Sequence, residues 1–262
     1  MLRNARTTAL ALMAIGALSL TACGGSDDAG SASDNGLDLV SDGKLTVCSD
    51  IPYVPFEYEE NGEYIGFDMD LVKEIASGLD LELAVQDAGF EGIASGTVLA
   101  ANQCDLSASA ITITPEREEA MGFADPYYDS LQSLLVPADS DIKSLDDLAG
   151  KKIGVQGNTT GESYTRANAP SDVEIVAFPS DGELFPAIQS GNVDAVLQDL
   201  PVNLGHTEDG AFTIAEEYKT DESYGFAMDK DNTALISAVN EQLADMRENG
   251  KYQEIYDKYF TE

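Results

Sequence analysis

Three features of the chain have the residue types needed to hold a small charged molecule. Arg117 closes the run Ala110-Ile-Thr-Ile-Thr-Pro-Glu-Arg117, just after an apolar, strand-like stretch. A guanidinium is the side chain best shaped for a carboxylate, because its planar fork donates two parallel, charge-assisted hydrogen bonds. Thr159-Thr160-Gly161-Glu162 stands at a strand-to-helix turn, where free backbone N–H groups suit a second contact to an anion. Asp199 follows another strand and can accept from an ammonium. Together these groups suit an amino-acid zwitterion. Each also has a plainer reading: Arg117 could cap a helix or pair with Glu116 or Glu119, and Asp199 could cap a helix before Pro201.

Other chemistry is poorly supplied. His206 is the sole histidine of the 262 residues, so neither a two-histidine metal site nor a histidine relay can be built. No Gly-rich loop ending in Gly-Lys-Ser/Thr appears. Asp229-Lys-Asp-Asn lacks the glycine and closing glutamate of a calcium loop. No metal and no cofactor is expected.

The elements that position these groups alternate between strand and helix. Lys44–Ser49, Leu81–Val85 and Asp105–Ile111 read as strands, and residues 91–102 as a poorly formed helix. Phe67, Leu71, Val72, Ile75, Ala76 and Leu79 recur at helical spacing, with Asp68 or Asp70 placed to cap the start. A second block follows: strands at Lys152–Gln156, Val173–Phe178 and Ala195–Gln198, and helices at Thr160–Ala167 and Gly182–Ser190. Tyr224–Met228 returns as a strand. A helix through Leu235, Val239 and Leu243 ends at Asn249-Gly250, and a last helix carries Tyr252, Ile255, Tyr256 and Tyr259. Two such blocks imply two α/β lobes with largely parallel sheets. Ligands of open α/β sheets sit beyond the carboxyl ends of the strands, which directs attention to Asp50–Phe56, Ser109–Arg117, Gly157–Gly161 and Asp199–Val202.

The N-terminus reads as an export signal over residues 1–22. Arg3 and Arg6 precede an uncharged run from Thr7 to Ala22, too short and too hydroxylated to span a bilayer. Leu20-Thr21-Ala22-Cys23-Gly24 resembles a bacterial lipobox, which implies lipid (palmitate among its acyl chains) on Cys23 after cleavage. Residues 23–42, rich in Gly, Ser and Asp, read as a flexible tether. The expected address is the extracellular face of the cytoplasmic membrane, held by lipid alone.

The chain carries 14 Lys and Arg against 48 Asp and Glu, a formal −34. Removing the signal leaves 12 against 48, or −36, which argues against nucleic acid as a partner. Cys48 and Cys104 are left once Cys23 is assigned to lipid. Outside a membrane they can be bridged, but beside strands a buried free thiol is as reasonable.

The order of the motifs adds a resemblance. Lys44-Leu-Thr-Val with Tyr53-Val-Pro-Phe-Glu57, then Ile65-Gly-Phe-Asp-Met-Asp-Leu71, look like the opening of bacterial extracellular solute-binding proteins, family 3. Ala110–Arg117 with Phe123-Ala-Asp-Pro-Tyr-Tyr128 resembles that family's centre. Gly150–Gln156 through Thr160, Asp194–Asp199, and Arg247-Glu-Asn-Gly-Lys-Tyr252 resemble its second lobe and its end. The resemblance implies a periplasmic-binding-protein-like type II fold, with lobe 1 at 43–131 plus 226–262, lobe 2 at 132–225, and hinge strands near Leu131–Pro137 and Ser223–Met228. It implies a monomeric amino-acid-binding component of an ABC transporter that closes on its ligand and delivers it to the permease subunits. Arg117 would clamp the α-carboxylate with Thr112 and Thr160; Asp199 and the Ala110 carbonyl would take the ammonium. Tyr53 and Phe90 would sandwich the side chain, while Asp50 and Gln156 would meet its polar end, favouring Lys, Arg, His or Gln. Two departures stand out: Asn158-Thr-Thr replaces the usual Gly-Thr-Thr, and Phe90 to Cys104 is slightly long. The same fold also resembles cyclohexadienyl dehydratases, for which Glu57 and Glu91 are the further carboxylates near the cleft, and a receptor-linked sensor would share the site.

Overall fold

The structure, a computed structural model, describes residues 36–260. The expected signal peptide, Cys23 and most of the tether lie outside the described residues. In chain order come β1 (Lys44–Ser49), a hairpin of β2 (Tyr58–Glu60) and β3 (Glu63–Ile65), α1 (Phe67–Gly78) and β4 (Glu82–Asp87). Then follow α2 (Phe90–Ala94), α3 (Thr97–Ala100), β5 (Leu106–Ser107), α4 (Pro115–Ala120) and β6 (Gly122–Phe123). The next stretch holds β7 (Tyr128–Pro137), β8 (Lys152–Gln156), α5 (Thr160–Asn168), β9 (Glu174–Phe178) and α6 (Asp181–Gln189). It continues through β10 (Ala195–Asp199), α7 (Leu200–Gly205) and β11 (Phe212–Tyr224). The chain closes with β12 (Ala227–Met228), α8 (Thr233–Asn249) and α9 (Lys251–Phe260).

Two five-stranded sheets organise these elements. The first runs β4-β1-β5-β12-β6 and the second β11-β7-β10-β8-β9. Each has a parallel heart, β4-β1-β5 in one and β10-β8-β9 in the other, as the strand–helix alternation predicts. The antiparallel pairings lie next to the crossings between sheets: β12 pairs with β5 and β6, while β7 pairs with β10 and β11. The chain therefore crosses from the first sheet to the second between Phe123 and Tyr128, and returns between Tyr224 and Ala227. Of Leu131–Pro137, expected as hinge, residues 132–137 are paired within the second sheet.

Both sheets are packed on apolar helix faces. Phe67, Leu71, Val72 and Ile75 of α1 meet Leu45 and Val47 of β1, with Leu235, Val239 and Leu243 of α8. In the second lobe Leu184, Ala187 and Ile188 of α6 pack with Leu135 of β7 and Val196 of β10, while Leu134, Val136, Ile153, Val155 and Leu197 form the apolar layer of the sheet's other side. Phe56 and Phe67 are fully buried among Tyr128, Tyr224 and Phe260, so the last helix covers an aromatic cluster where the two crossings meet.

Some local expectations are corrected. Neither Asp68 nor Asp70 caps α1; the N-cap is Gly66, which makes no side-chain bond, and Asp68 lies fully buried. A Cβ on Gly66 would approach the Phe56 carbonyl to 2.1 Å, so glycine is required there by close packing as well as by its φ of 132°. The strand expected over Asp105–Ile111 is paired only at Leu106–Ser107, and the chain then loops into the cleft. Residues 91–102 form two short helices divided by Gly96 at φ 73°. Tyr224 ends β11, and only Ala227–Met228 pair in the first sheet. Gly250 ends α8 in the left-handed conformation, as Asn249-Gly250 predicts. Cys48 and Cys104 are joined in a disulfide, with Cα atoms 5.8 Å apart.

Candidate functional site

A small pocket lies between the sheets, lined by Asp50, Tyr53, Phe90, Ser109, Ala110, Thr112, Arg117, Gln156, Thr159, Thr160 and Asp199. Parallel strands aim it. β1 ends at Ser49 and is followed by Asp50, β8 ends at Gln156, β10 ends at Asp199, and β5 leads into Ser109 and Ala110. All nine residues singled out in the sequence line this space. Ser109 and Thr159 join them; both fall within segments that follow strands, and their small hydroxyls gave no further signal.

Arg117 sits in the first turn of α4, which Pro115 opens and Thr114 caps by accepting from the Arg117 N–H at 3.2 Å. The side chain is 8% exposed. Its Nη1 donates to the Thr112 carbonyl at 2.7 Å and its Nη2 to the Asn158 carbonyl at 3.1 Å, while Phe90 lies under the guanidinium at 5.5 Å. Among the described residues no carboxylate forms an ion pair with it, so neither Glu116 nor Glu119 takes the expected alternative role. The guanidinium is held by neutral carbonyls and an aromatic face, and its charge is left to another partner.

Asp199 makes no helix-cap bond either, although it precedes α7. Its carboxylate accepts from Tyr53 Oη at 2.9 Å, Tyr224 Oη at 2.5 Å and Gln132 Nε2 at 2.5 Å. Burial raises its pKa to about 6, the nearby Glu222 adds to the rise, and the three donors oppose it. Asp50 is raised to about 6 as well, by burial first and then by the charges of Asp87 and Asp181, against the bond from Gln156 Nε2 at 2.6 Å. The wall therefore carries one cation and two carboxylates that are anionic above this range.

Several bonds cross the cleft: Asp50 with Gln156, Tyr53 with Asp199, Arg117 with Asn158, and Thr112 Oγ1 with Thr160 Oγ1 at 3.4 Å. Thr159 caps α5 by accepting from the Glu162 N–H at 3.1 Å, which brings Thr160 to the first position of that helix. Among the rival carboxylates, Glu57 is fully buried behind the cavity wall and Glu91 lines an outer groove; neither lines the cavity. His206 is absent from the wall too, stacked on Phe185 with Nε2 3.2 Å from Asp181. No metal-holding cluster occurs among the described residues, and no helix there is long and apolar enough to cross a membrane.

The model of the bacterial extracellular solute-binding proteins, family 3, matches residues 45–262. The chain belongs to this family. Among its relatives are a probable histidine-binding protein of Neisseria gonorrhoeae, 29% identical over 98% of this chain and 97% of that one, and the arginine-binding extracellular protein ArtP of Bacillus subtilis, 32% identical over 92% of each. An ancestral arginine-binding protein bound to arginine superposes with a TM-score of 0.79 at 36% identity, covering 83% of this chain and 98% of that one. An ancestral amino acid-binding protein, a precursor of cyclohexadienyl dehydratase, gives 0.76 at 34% identity over 84% and 96%. The fold is thus the two-lobed α/β fold of periplasmic binding proteins of type II.

Proposed function

We propose that this family member is the amino-acid-binding component of an ABC importer, and that it closes around a zwitterion with a cationic side chain. The observation that carries the reading is the charge layout of the cavity: a guanidinium paired only with carbonyls, and two carboxylates at other points of the wall. A free carboxylate on Arg117, an ammonium on Asp199 and a side-chain cation on Asp50 bring that wall to neutrality. Thr112, Thr160 and the start of α5 assist at the carboxylate, the Ala110 carbonyl at the ammonium, and Tyr53 and Phe90 along the side chain. Asp87 and Asp181 add negative potential at Asp50, which favours Arg, Lys or His over Gln. Relatives are named for arginine, histidine and glutamine alike, so the order rests on the charges at Asp50.

The hinge in this proposal is the pair of connections 124–127 and 225–226, close to the lobe limits of 43–131 plus 226–262 and 132–225. Closure over a ligand excludes water and offers the permease a distinct shape. Lipid on Cys23 and the tether of residues 23–42 keep a monomeric receptor beside its permease; Cys23→Ser should release the protein from cells into the medium. A thermal-shift screen against the twenty amino acids tests the binding. A hundredfold excess over Kd stabilises by about 2.7 kcal/mol, and no shift for any amino acid contradicts the reading. Because a dehydratase precursor shares the fold, incubation with prephenate is the companion assay; an aromatic product would move the protein to the enzymes.

A further inference from the structure

Beneath the cavity lies a second pair of acids that contacts no ligand position. Glu57 and Asp68 are both 0% exposed, an unusual place for two carboxylates. Of their four oxygens, two are occupied. Glu57 Oε1 accepts from Ser109 Oγ at 2.7 Å, and Asp68 Oδ2 accepts from the Ala110 N–H at 2.9 Å and Tyr127 Oη at 2.7 Å. The other two, Glu57 Oε2 and Asp68 Oδ1, are buried with no hydrogen-bond partner. We propose that Glu57 and Asp68 share one proton between these two oxygens, and that the proton-locked pair positions the cavity floor.

The surrounding charges point the same way. Those acting on Glu57 are Asp68, Asp50 and Asp199, all acidic. On the covering helix α9, Lys258 is engaged with Asp70 at 2.7 Å, and Tyr259 bonds the same carboxylate. The phenols of Tyr127 and Tyr53 are neutral, held above their ordinary value by burial and by the neighbouring acids. Burial raises both carboxylates, and the charge of Asp68 adds to the rise at Glu57, which disfavours a doubly ionised pair. Asp68 has two donors to stabilise its anion and Glu57 has one, so the proton resides on Glu57, with Glu57 Oε2 donating to Asp68 Oδ1.

What the pair holds is the floor itself. Ala110 has φ 44°, a left-handed conformation that alanine seldom adopts, and its N–H is tied to Asp68. Ser109 Oγ donates to Glu57 and accepts from the Asp50 N–H at 3.1 Å. One proton thus fixes the backbone of both Ala110 and Asp50, on opposite functional ends of the cavity. Glu57 and Asp68 are positioning residues. Their effect on affinity rests on the amino-acid-binding reading above, whereas the presence of the proton does not.

Infrared spectroscopy tests the proton directly. At about pH 8, above the ordinary range of carboxylates and above the value near 6 of Asp50 and Asp199, the parent protein should show the carbonyl stretch of a protonated carboxylic acid. Glu57→Gln should lack it. No such band in the parent, or a band that persists in Glu57→Gln, overturns the proposal. Titration with L-arginine tests the positioning. Glutamine can reproduce both bonds of a protonated Glu57, so Glu57→Gln should bind within about threefold of the parent, while Glu57→Ala loses about tenfold or more. Equal losses in the two variants overturn the positioning role. If the parent binds no amino acid, the binding reading fails alone and the infrared result still decides the proton.

Discussion

The two walls of the cavity are built by different means. On the first sheet's side the site is irregular. Residues 108–114 follow a two-residue strand, Ala110 is left-handed, and the loop is held by buried side chains: Asp68 on Ala110, Glu57 on Ser109, Arg117 on the Thr112 carbonyl. On the second sheet's side the groups simply terminate regular elements, with Gln156 and Asp199 ending β8 and β10 and Thr160 starting a capped α5. The contrast implies a preorganised half that orients the ligand and a regular half that arrives as a rigid body. Damage to the first wall should therefore spread beyond the residue changed, and damage to the second should stay local.

The largest effect is expected at Arg117. Arg117→Ala strands the ligand carboxylate in a buried site and should cost on the order of 2–5 kcal/mol of binding, roughly thirtyfold or more, read by calorimetry. Next comes the disulfide, which ties β1 to the segment before β5 on the first side only. Cys48→Ala with Cys104→Ala should lower unfolding free energy by about 2–5 kcal/mol in a denaturant titration. Free thiols in unfolded, unreduced parent protein would remove that difference between the walls.

Asp50→Asn should weaken L-arginine by about tenfold while changing L-glutamine by no more than about threefold; equal losses would deny Asp50 its role at the side chain. The pH dependence follows from Asp50 and Asp199. A bound cation favours their ionised forms, so the complex holds their pKa values below the value near 6 of the free protein. Binding then releases protons around and below that pH. Affinity should be flat above about pH 7 and fall as pH drops through 6, by at most about tenfold per unit for each group. The sign for folding is opposite. Both values are raised above the ordinary aspartate range, so their stabilisation of the empty protein is present at low pH and lost as pH rises toward 6. The smallest effect belongs to the second wall: Thr160→Val should cost about 0.5–1.5 kcal/mol, one hydrogen bond, with no change at other subsites.

The same contrast governed what the sequence revealed. In the second lobe β8, α5, β9, α6 and β10 were legible to within a residue or two, because Lys152–Gln156 and Ala195–Gln198 are apolar runs between helices, whereas α7 and most of the long, polar β11 were not. The first lobe was harder. Leu106 to Ile111 carries the small and apolar residues of a strand, and only tertiary bonds from Asp68 and Glu57 turn it into a loop. Asp68 sits where a capping acid would, and nothing local signals that it points inward to Tyr127 and Ala110. Arg117, Thr160 and Asp199 were legible because ligand sites follow strand ends and because Arg, Thr and Asp suit a zwitterion, whereas Asp50, Tyr53, Phe90, Ala110, Thr112 and Gln156 came from the family resemblance. The buried acids escaped, since their role lies in contacts 42 to 59 residues away in sequence.

The central claim is that the guanidinium of Arg117 holds the carboxylate of an amino acid whose side-chain cation meets Asp50. Calorimetric titration of the parent protein with L-arginine and with agmatine, which is arginine without its carboxylate, tests it most directly. L-arginine should bind at one site, with a loss of at least about thirtyfold for agmatine. Agmatine binding as tightly as L-arginine would contradict it.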